Sequence, residues 1–134
     1  YVIKLNLMLL VLLNHMTYIQ LTVMQCMLYL IQMKKAHPAF RMTSTADLQR
    51  NLQFLFTGQQ CVVAYTLDGA AVGDSWSKIL VVHNGNRHNI SLNIPQENWT
   101  IACNGEEVKP NGIFNWNQPV LNVPASSTMV LFKK

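Results

Sequence analysis

No Asp or Glu occurs in residues 1–46, and no glycine precedes Gly58. Over the whole 134 residues there are six acidic and ten basic side chains, for a net charge of +4. The basic residues are scattered, without a Lys/Arg block or stripe, and that argues against a nucleic-acid partner. The three cysteines, Cys26, Cys61 and Cys103, form no CxxC pair and no His-paired ligand spacing. That excludes a disulfide framework or a zinc site, and all three read as buried apolar thiols. The N-terminal stretch lacks the basic start and small-residue cleavage site of a signal peptide. Its longest unbroken apolar run is Leu7–Leu13, far short of the roughly 20 residues of a membrane helix. Asn6, Asn14, His15, Gln20, Gln25 and Gln32 further disfavour a membrane span. The chain starts at Tyr1 without an initiator Met, so it is expected to be cut from something longer.

What is present changes character along the chain. All six glycines and four of the five prolines lie from Gly58 onward, which places a boundary near residues 37–52. Ile19, Val23, Met24, Met27, Leu28 and Ile31 recur at helical spacing on one face. Lys34 and Lys35 suit the last turn of that helix, and Pro38 ends it by forcing His37 out of helical geometry. Ser44-Thr45-Ala46-Asp47 has capping-box spacing and predicts a short helix to about Asn51. Beyond it, strands are expected at Leu52–Thr57, Cys61–Leu67, Lys78–Val82, Ile90–Ile94, Trp99–Cys103, Val120–Val123 and Thr128–Phe132. Lys78–Val82 and Ile90–Ile94 flank Asn84-Gly85 and read as a hairpin around a turn of about five residues. Short strands with frequent turns predict a mainly β fold, an antiparallel β-sandwich preceded by an N-terminal helix. The expected divisions are residues 1–42 (apolar, helical), 43–51 (linker and short helix) and 52–134 (sandwich).

No catalytic constellation emerges. Glycoside hydrolysis needs two carboxylates about 5–10 Å apart, and Asp68, Asp74, Glu97, Glu106 and Glu107 all fall in turn-like stretches where solvated carboxylates are expected. His37, His83 and His88 lack metal spacing and read as solvent-facing, with His83 and His88 placed to face each other across the expected hairpin. Ser44, Ser75, Ser77 and Ser91 lie outside any GxSxG context. Asn89-Ile90-Ser91 and Asn98-Trp99-Thr100 match the N-glycosylation pattern and are treated as chance. Trp99 is in phase with Ile101 and Cys103 and belongs to a core. Carbohydrate-binding candidates are Trp116, in the polar stretch Phe114–Gln118, and more weakly Trp76, whose entry into a strand favours a core lid. No metal or cofactor is expected.

From Leu30 on, the chain resembles the C-terminal end of bacterial type I pullulanases, debranching enzymes of the α-amylase superfamily. Leu30–Met42 (LIQMKKAHPAFRM) looks like that family's last barrel helix running into its HPAFRM junction. Val63-Ala64-Tyr65, Gly73-Asp74-Ser75-Trp76, Ile79–Arg87, Pro95 with Trp99-Thr100, and Val123-Pro124-Ala125 with Met129-Val130-Leu131 continue the likeness in order. The resemblance implies a parent that hydrolyses α-1,6-glucosidic bonds in pullulan and amylopectin, with its carboxylates on a (β/α)8 barrel. It implies that the N-terminal helix is left over from that barrel and that no catalytic residue carries over to this chain. The implied partners are the upstream barrel and α-glucan. The implied source is bacterial, with either an extracellular or a cytoplasmic site. Residues 1–28 depart from the family, and we read them as out-of-frame or misassembled translation that returns to frame near Tyr29. Alternatives are a carbohydrate-binding module, an adhesion-type immunoglobulin sandwich, and a small protein anchored in a membrane through residues 5–33.

Overall fold

The computed structural model describes residues 18–134. Expectations for residues 1–17, the early part of the anchor and frame-error readings, and the burial of Cys26 lie outside the described residues. Helix α1 spans Tyr18–Ala36 and carries Lys34 and Lys35 in its last turn. Among the described residues, no helix is long and apolar enough to cross a membrane. Pro38 opens a 3-10 turn, Pro38–Arg41, with His37 extended at φ −111° and ψ 107°. Helix α2, Thr45–Asn51, is capped by the Ser44 side chain, which accepts from the Asp47 N–H. That is the capping geometry the sequence predicts.

Eight strands follow: β1 (Leu52–Leu55), β2 (Val62–Asp68), β3 (Lys78–Asn84), β4 (Ile90–Asn93), β5 (Trp99–Asn104), β6 (Phe114–Trp116), β7 (Val120–Val123) and β8 (Ser127–Lys133). They make a six-stranded sheet in the order β1-β2-β3-β8-β5-β6 and a two-stranded sheet, β4-β7. All pairings are antiparallel. The mainly antiparallel β architecture agrees with the expected fold. Between the two sheets lies a core of Leu80, Val82, Ile90, Leu92, Trp99, Ile101, Leu121, Val123 and Leu131 with their neighbours. The outer face of the large sheet carries a second core. There Ile79, Val81, Val130 and Phe132 are covered by Met33, Ala39 and Trp76. Each fully buried apolar side chain of this size contributes about 1.5–3 kcal/mol.

The two covered faces explain the pattern in β3. Ile79 through Val82 are all buried, as a central strand clad on both sides requires. Strand β4 instead alternates buried and exposed residues because only one of its faces meets a core. Here the expected hairpin is corrected. Strand β3 pairs with β2 and β8, whereas β4 pairs with β7 in the other sheet. Residues 85–89 therefore cross between sheets. Asn84 holds that crossing. Its buried Nδ2 donates to the carbonyls of His88 (3.0 Å) and Pro124 (2.9 Å), and its Oδ1 accepts from the Asn86 N–H (3.0 Å).

Other differences are local. Strand β1 stops at Leu55, and Phe56 beyond it is 97% exposed. Strand β6 forms inside the polar stretch Phe114–Gln118, where no strand is expected from the sequence. Cys103 is buried, but Cys61 is exposed at a positive φ of 58°, so the reading of it as a buried thiol fails. His83 does not face His88, because its Nδ1 meets Thr128 Oγ1 at 2.8 Å across the β3–β8 pair.

Candidate functional site: the helix–sandwich latch

The most strongly built constellation joins two stretches 37 residues apart in sequence. One is His37 and the residues after Pro38. The other is the loop between β2 and β3, which Gly69 and Asp74 knit together. The Gly69 and Ala70 N–H groups both donate to the Ser77 carbonyl (3.0 Å each), and the Asp74 N–H donates to the Gly69 carbonyl (2.9 Å). No Cβ fits at Gly69, since an ideal one would lie 1.9 Å from the Trp76 carbonyl oxygen. This tight loop drives the Asp74 carboxylate inward, where its side chain has 0% exposure.

Three donors meet that carboxylate. His37 Nδ1 lies 2.6 Å from Oδ1, the Trp76 N–H donates to Oδ1 at 2.9 Å, and the Ala39 N–H donates to Oδ2 at 3.0 Å. Burial pushes the Asp74 carboxyl upward. The bonds from His37, Trp76 and Ala39 outweigh that, and the group ends below the ordinary carboxylate value. An ionised carboxylate only accepts, so His37 Nδ1 carries the proton in this pair. The His37 ring stacks on Trp76 at 3.6 Å between centroids, and Trp76 stacks on Phe132 of β8 at 4.0 Å and 7°. Rings and carboxylate thus bind the end of α1 to the centre of the large sheet.

The sequence expectations for these residues need correction. Asp74 and His37 are not solvated; the loop buries the one, and the other is 5% exposed beneath the Trp76 stack. Trp76 is 3% exposed with His37 on one side and Phe132 packed against it, so it offers no face to a sugar. The core-lid reading describes it. Trp116 is half-buried, packs on the inter-sheet core, and has a buried Nε1 without a partner. The signal for the latch was present, since His37 and Asp74 both lie in the quoted family-like stretches, but sequence spacing does not show that they meet.

Three other carboxylates are tied elsewhere. Glu97 binds Lys78 (2.8 Å) and Lys133 (2.6 Å), whose hydrogen bonds hold it below the ordinary value despite partial burial. Glu107 pairs with Lys109 at 2.7 Å, and Asp68 Oδ1 accepts from the Ala71 N–H at 3.2 Å. Among the described residues, no group of three His, Cys, Asp or Glu side chains is placed to hold a metal. The arrangement fixes a junction; it does not assemble an acid and a nucleophile around a bond.

Residues 48–107 match the family described as "Pullulanase, all-beta domain". The chain is 38% identical over 68 residues to the pullulanase of Bacillus subtilis strain 168, a match covering 51% of this chain and 9% of that protein. Its fold is similar to the pullulanase of Bacillus acidopullulyticus, with a TM-score of 0.72 and 34% identity over 77% of this chain and 12% of that one. It is also similar to the type I pullulanase of B. subtilis strain 168, solved with maltose, with a TM-score of 0.64 and 29% identity over 78% and 14% of the two chains. The chain therefore spans only a small part of the length of these relatives. It carries the all-beta domain of a type I pullulanase and corresponds to one segment of that family.

Proposed function

We propose that this pullulanase all-beta domain is a structural accessory unit, and that its latch fixes the last helix of a catalytic barrel against the sandwich. The parent activity we assign is hydrolysis of α-1,6-glucosidic bonds in pullulan and amylopectin, carried by carboxylates outside this segment. The observation that supports the accessory role is the buried His37–Asp74–Trp76 cluster. A carboxylate with no exposed side-chain surface and three donors is an investment in geometry at a junction, not in chemistry on a substrate. Helix α1 supports it too. Met33 is buried against the sandwich, yet Met27, Leu28 and Ile31 are 57%, 53% and 49% exposed. Those three form the stripe that a barrel would cover. The expected divisions at residues 42 and 51 belong to the same proposal, with 33–42 acting as the hinge piece held by the latch.

A domain exchange tests the reading. The all-beta domain of the B. subtilis pullulanase is replaced by residues 30–134 of this chain. The expected result is a folded enzyme that hydrolyses pullulan, while deletion of the domain gives an unstable or inactive one. A deletion form as stable and active as the full enzyme would overturn the accessory role. The isolated 134-residue chain is expected not to hydrolyse pullulan.

A further inference from the structure

Three Asn-Gly pairs lie in the sandwich: Asn84-Gly85, Asn104-Gly105 and Asn111-Gly112. In such a pair the glycine nitrogen can attack the asparagine side-chain carbon, because glycine has no Cβ to shield its backbone and turns freely. Attack requires the amide to swing over that nitrogen, so whatever holds the amide prevents it. The structure holds the three amides unequally. Asn84 is buried, its Nδ2 donates to the carbonyls of His88, Val123 and Pro124, and its Oδ1 accepts from the Asn86 N–H. Asn104 ends β5, paired with Met129 of β8, and its Oδ1 accepts from the N–H groups of Glu106 (3.0 Å) and Glu107 (2.8 Å). Asn111 is exposed and lies in a turn outside any strand. Among the described residues, no hydrogen bond holds its side chain. One bond stands in the way there, from the Gly112 N–H to the Lys109 carbonyl at 2.9 Å.

We propose that Asn111 is a self-modification site of the folded chain, with water as its co-reactant, and that the product unfastens β6. The Gly112 nitrogen bonds to Asn111 Cγ, the Cγ–Nδ2 bond breaks, and Nδ2 leaves as ammonia with the proton that Gly112 gives up. Water then opens the cyclic imide. Breaking the ring bond at Cγ gives aspartate. Breaking it at the main-chain carbonyl carbon gives isoaspartate, whose backbone runs through Cγ and is longer by a methylene. The turn has no room for that length. Gly112 holds φ at +99°, and a Cβ on it would lie 2.4 Å from Thr100 Cγ2, so its main chain sits directly against β5. The Ile113 N–H donates to the Ile101 carbonyl at 2.7 Å and starts the pairing that continues through Phe114–Ile101 and Trp116–Trp99. Strand β6 has only three residues and lies at the sheet edge, so little else keeps it in place. Trp116 packs on the inter-sheet core, and its ring leaves with the strand.

The test ages the full chain at mildly alkaline pH below its melting temperature and, in parallel, in concentrated urea. Peptide mapping with electron-transfer fragmentation scores aspartate and isoaspartate at all three positions. In the folded chain Asn111 is expected to convert at least about tenfold faster than Asn84 and Asn104, whose reaction waits on local opening; in urea the three rates should converge. Conversion led by Asn84 or Asn104, equal rates in the folded chain, or the same ranking in urea would each overturn the site. The consequence is read on the isoaspartyl fraction, separated by its added negative charge. Its Ile113 amide is expected to lose protection from hydrogen exchange while the amides of β3 and β8 keep theirs. N111Q retains an amide but must close a larger ring, and is expected to age without that loss. An Ile113 amide as protected in the isoaspartyl fraction as in fresh protein would overturn the effect on β6.

Discussion

Replacing Asp74 by Asn probes the latch with almost no change in shape. An amide oxygen in the Oδ1 position still accepts from His37 Nδ1 and the Trp76 N–H, but without the charge that strengthens both bonds. An amide nitrogen in the Oδ2 position points a donor at the Ala39 N–H, which then has no acceptor in a buried site. A buried unsatisfied donor costs about 1–3 kcal/mol, and loss of charge assistance adds about 1 kcal/mol. The sum is a loss of about 3 kcal/mol. For a domain of this size that lowers the melting temperature by roughly 10–15 °C, read by far-UV circular dichroism or urea unfolding. The pH dependence separates this cause from a general packing defect. The folded-state pKa of Asp74 lies below its unfolded value. Its contribution is therefore complete above the ordinary carboxylate value, about 4, and is lost as pH falls through the folded pKa. The wild-type advantage over Asp74→Asn should thus shrink in strong acid. A variant within about 0.5 kcal/mol of wild type at pH 7 would refute the reasoning.

Two glycines in the same loop make a contrasting pair. Gly69→Ala forces a Cβ into the Trp76 carbonyl and is expected to cost more than about 3 kcal/mol. Gly73→Ala meets no atom within 4 Å but must hold φ at +73°, for about 1–2 kcal/mol; equal losses in thermal melts would contradict the loop geometry. Asn84→Asp puts a carboxylate against the His88 and Pro124 carbonyls, and is expected to destabilise by several kcal/mol in urea titrations at neutral pH, recovering in part in acid. The combined change of Met27, Leu28 and Ile31 to Lys, Glu and Lys removes the exposed apolar stripe of α1. Wild type is expected to self-associate through that stripe and the triple variant to sediment as a monomer; a monodisperse wild-type monomer at high concentration would count against it.

Much of the fold was legible because each local choice agrees with the next. Ser44 and Asp47 mark the start of α2, Pro38 ends α1, and alternation at Ile90, Leu92 and Ile94 marks a strand with one buried face. The pairing of strands was not legible from turn chemistry. Asn84-Gly85 carries a strong local reversal signal, yet Asn84 spends its side chain on three carbonyls and the chain crosses to the other sheet. The unbroken run Ile79–Val82 marks a strand covered on both faces, whereas the alternation at Ile90, Leu92 and Ile94 marks one covered on a single face. Strand β6 escaped notice because Asn115 and Asn117 separate its rings with amides, the composition of a loop. The candidate site was half legible. His37 and Asp74 stood in the family-like stretches, but isolated charges in turns look solvated until tertiary structure buries them. Only the loop closure at Gly69 carries Asp74 inward.

Hydrogen exchange of the wild-type chain, resolved by residue, tests the latch most directly. The account predicts that the His37, Ala39 and Phe40 amides are protected to within about tenfold of the central β3 and β8 amides, because hinge and sheet open as one cooperative unit. Exchange of those three amides at the rate of an unstructured chain, beside a protected sheet, would contradict it.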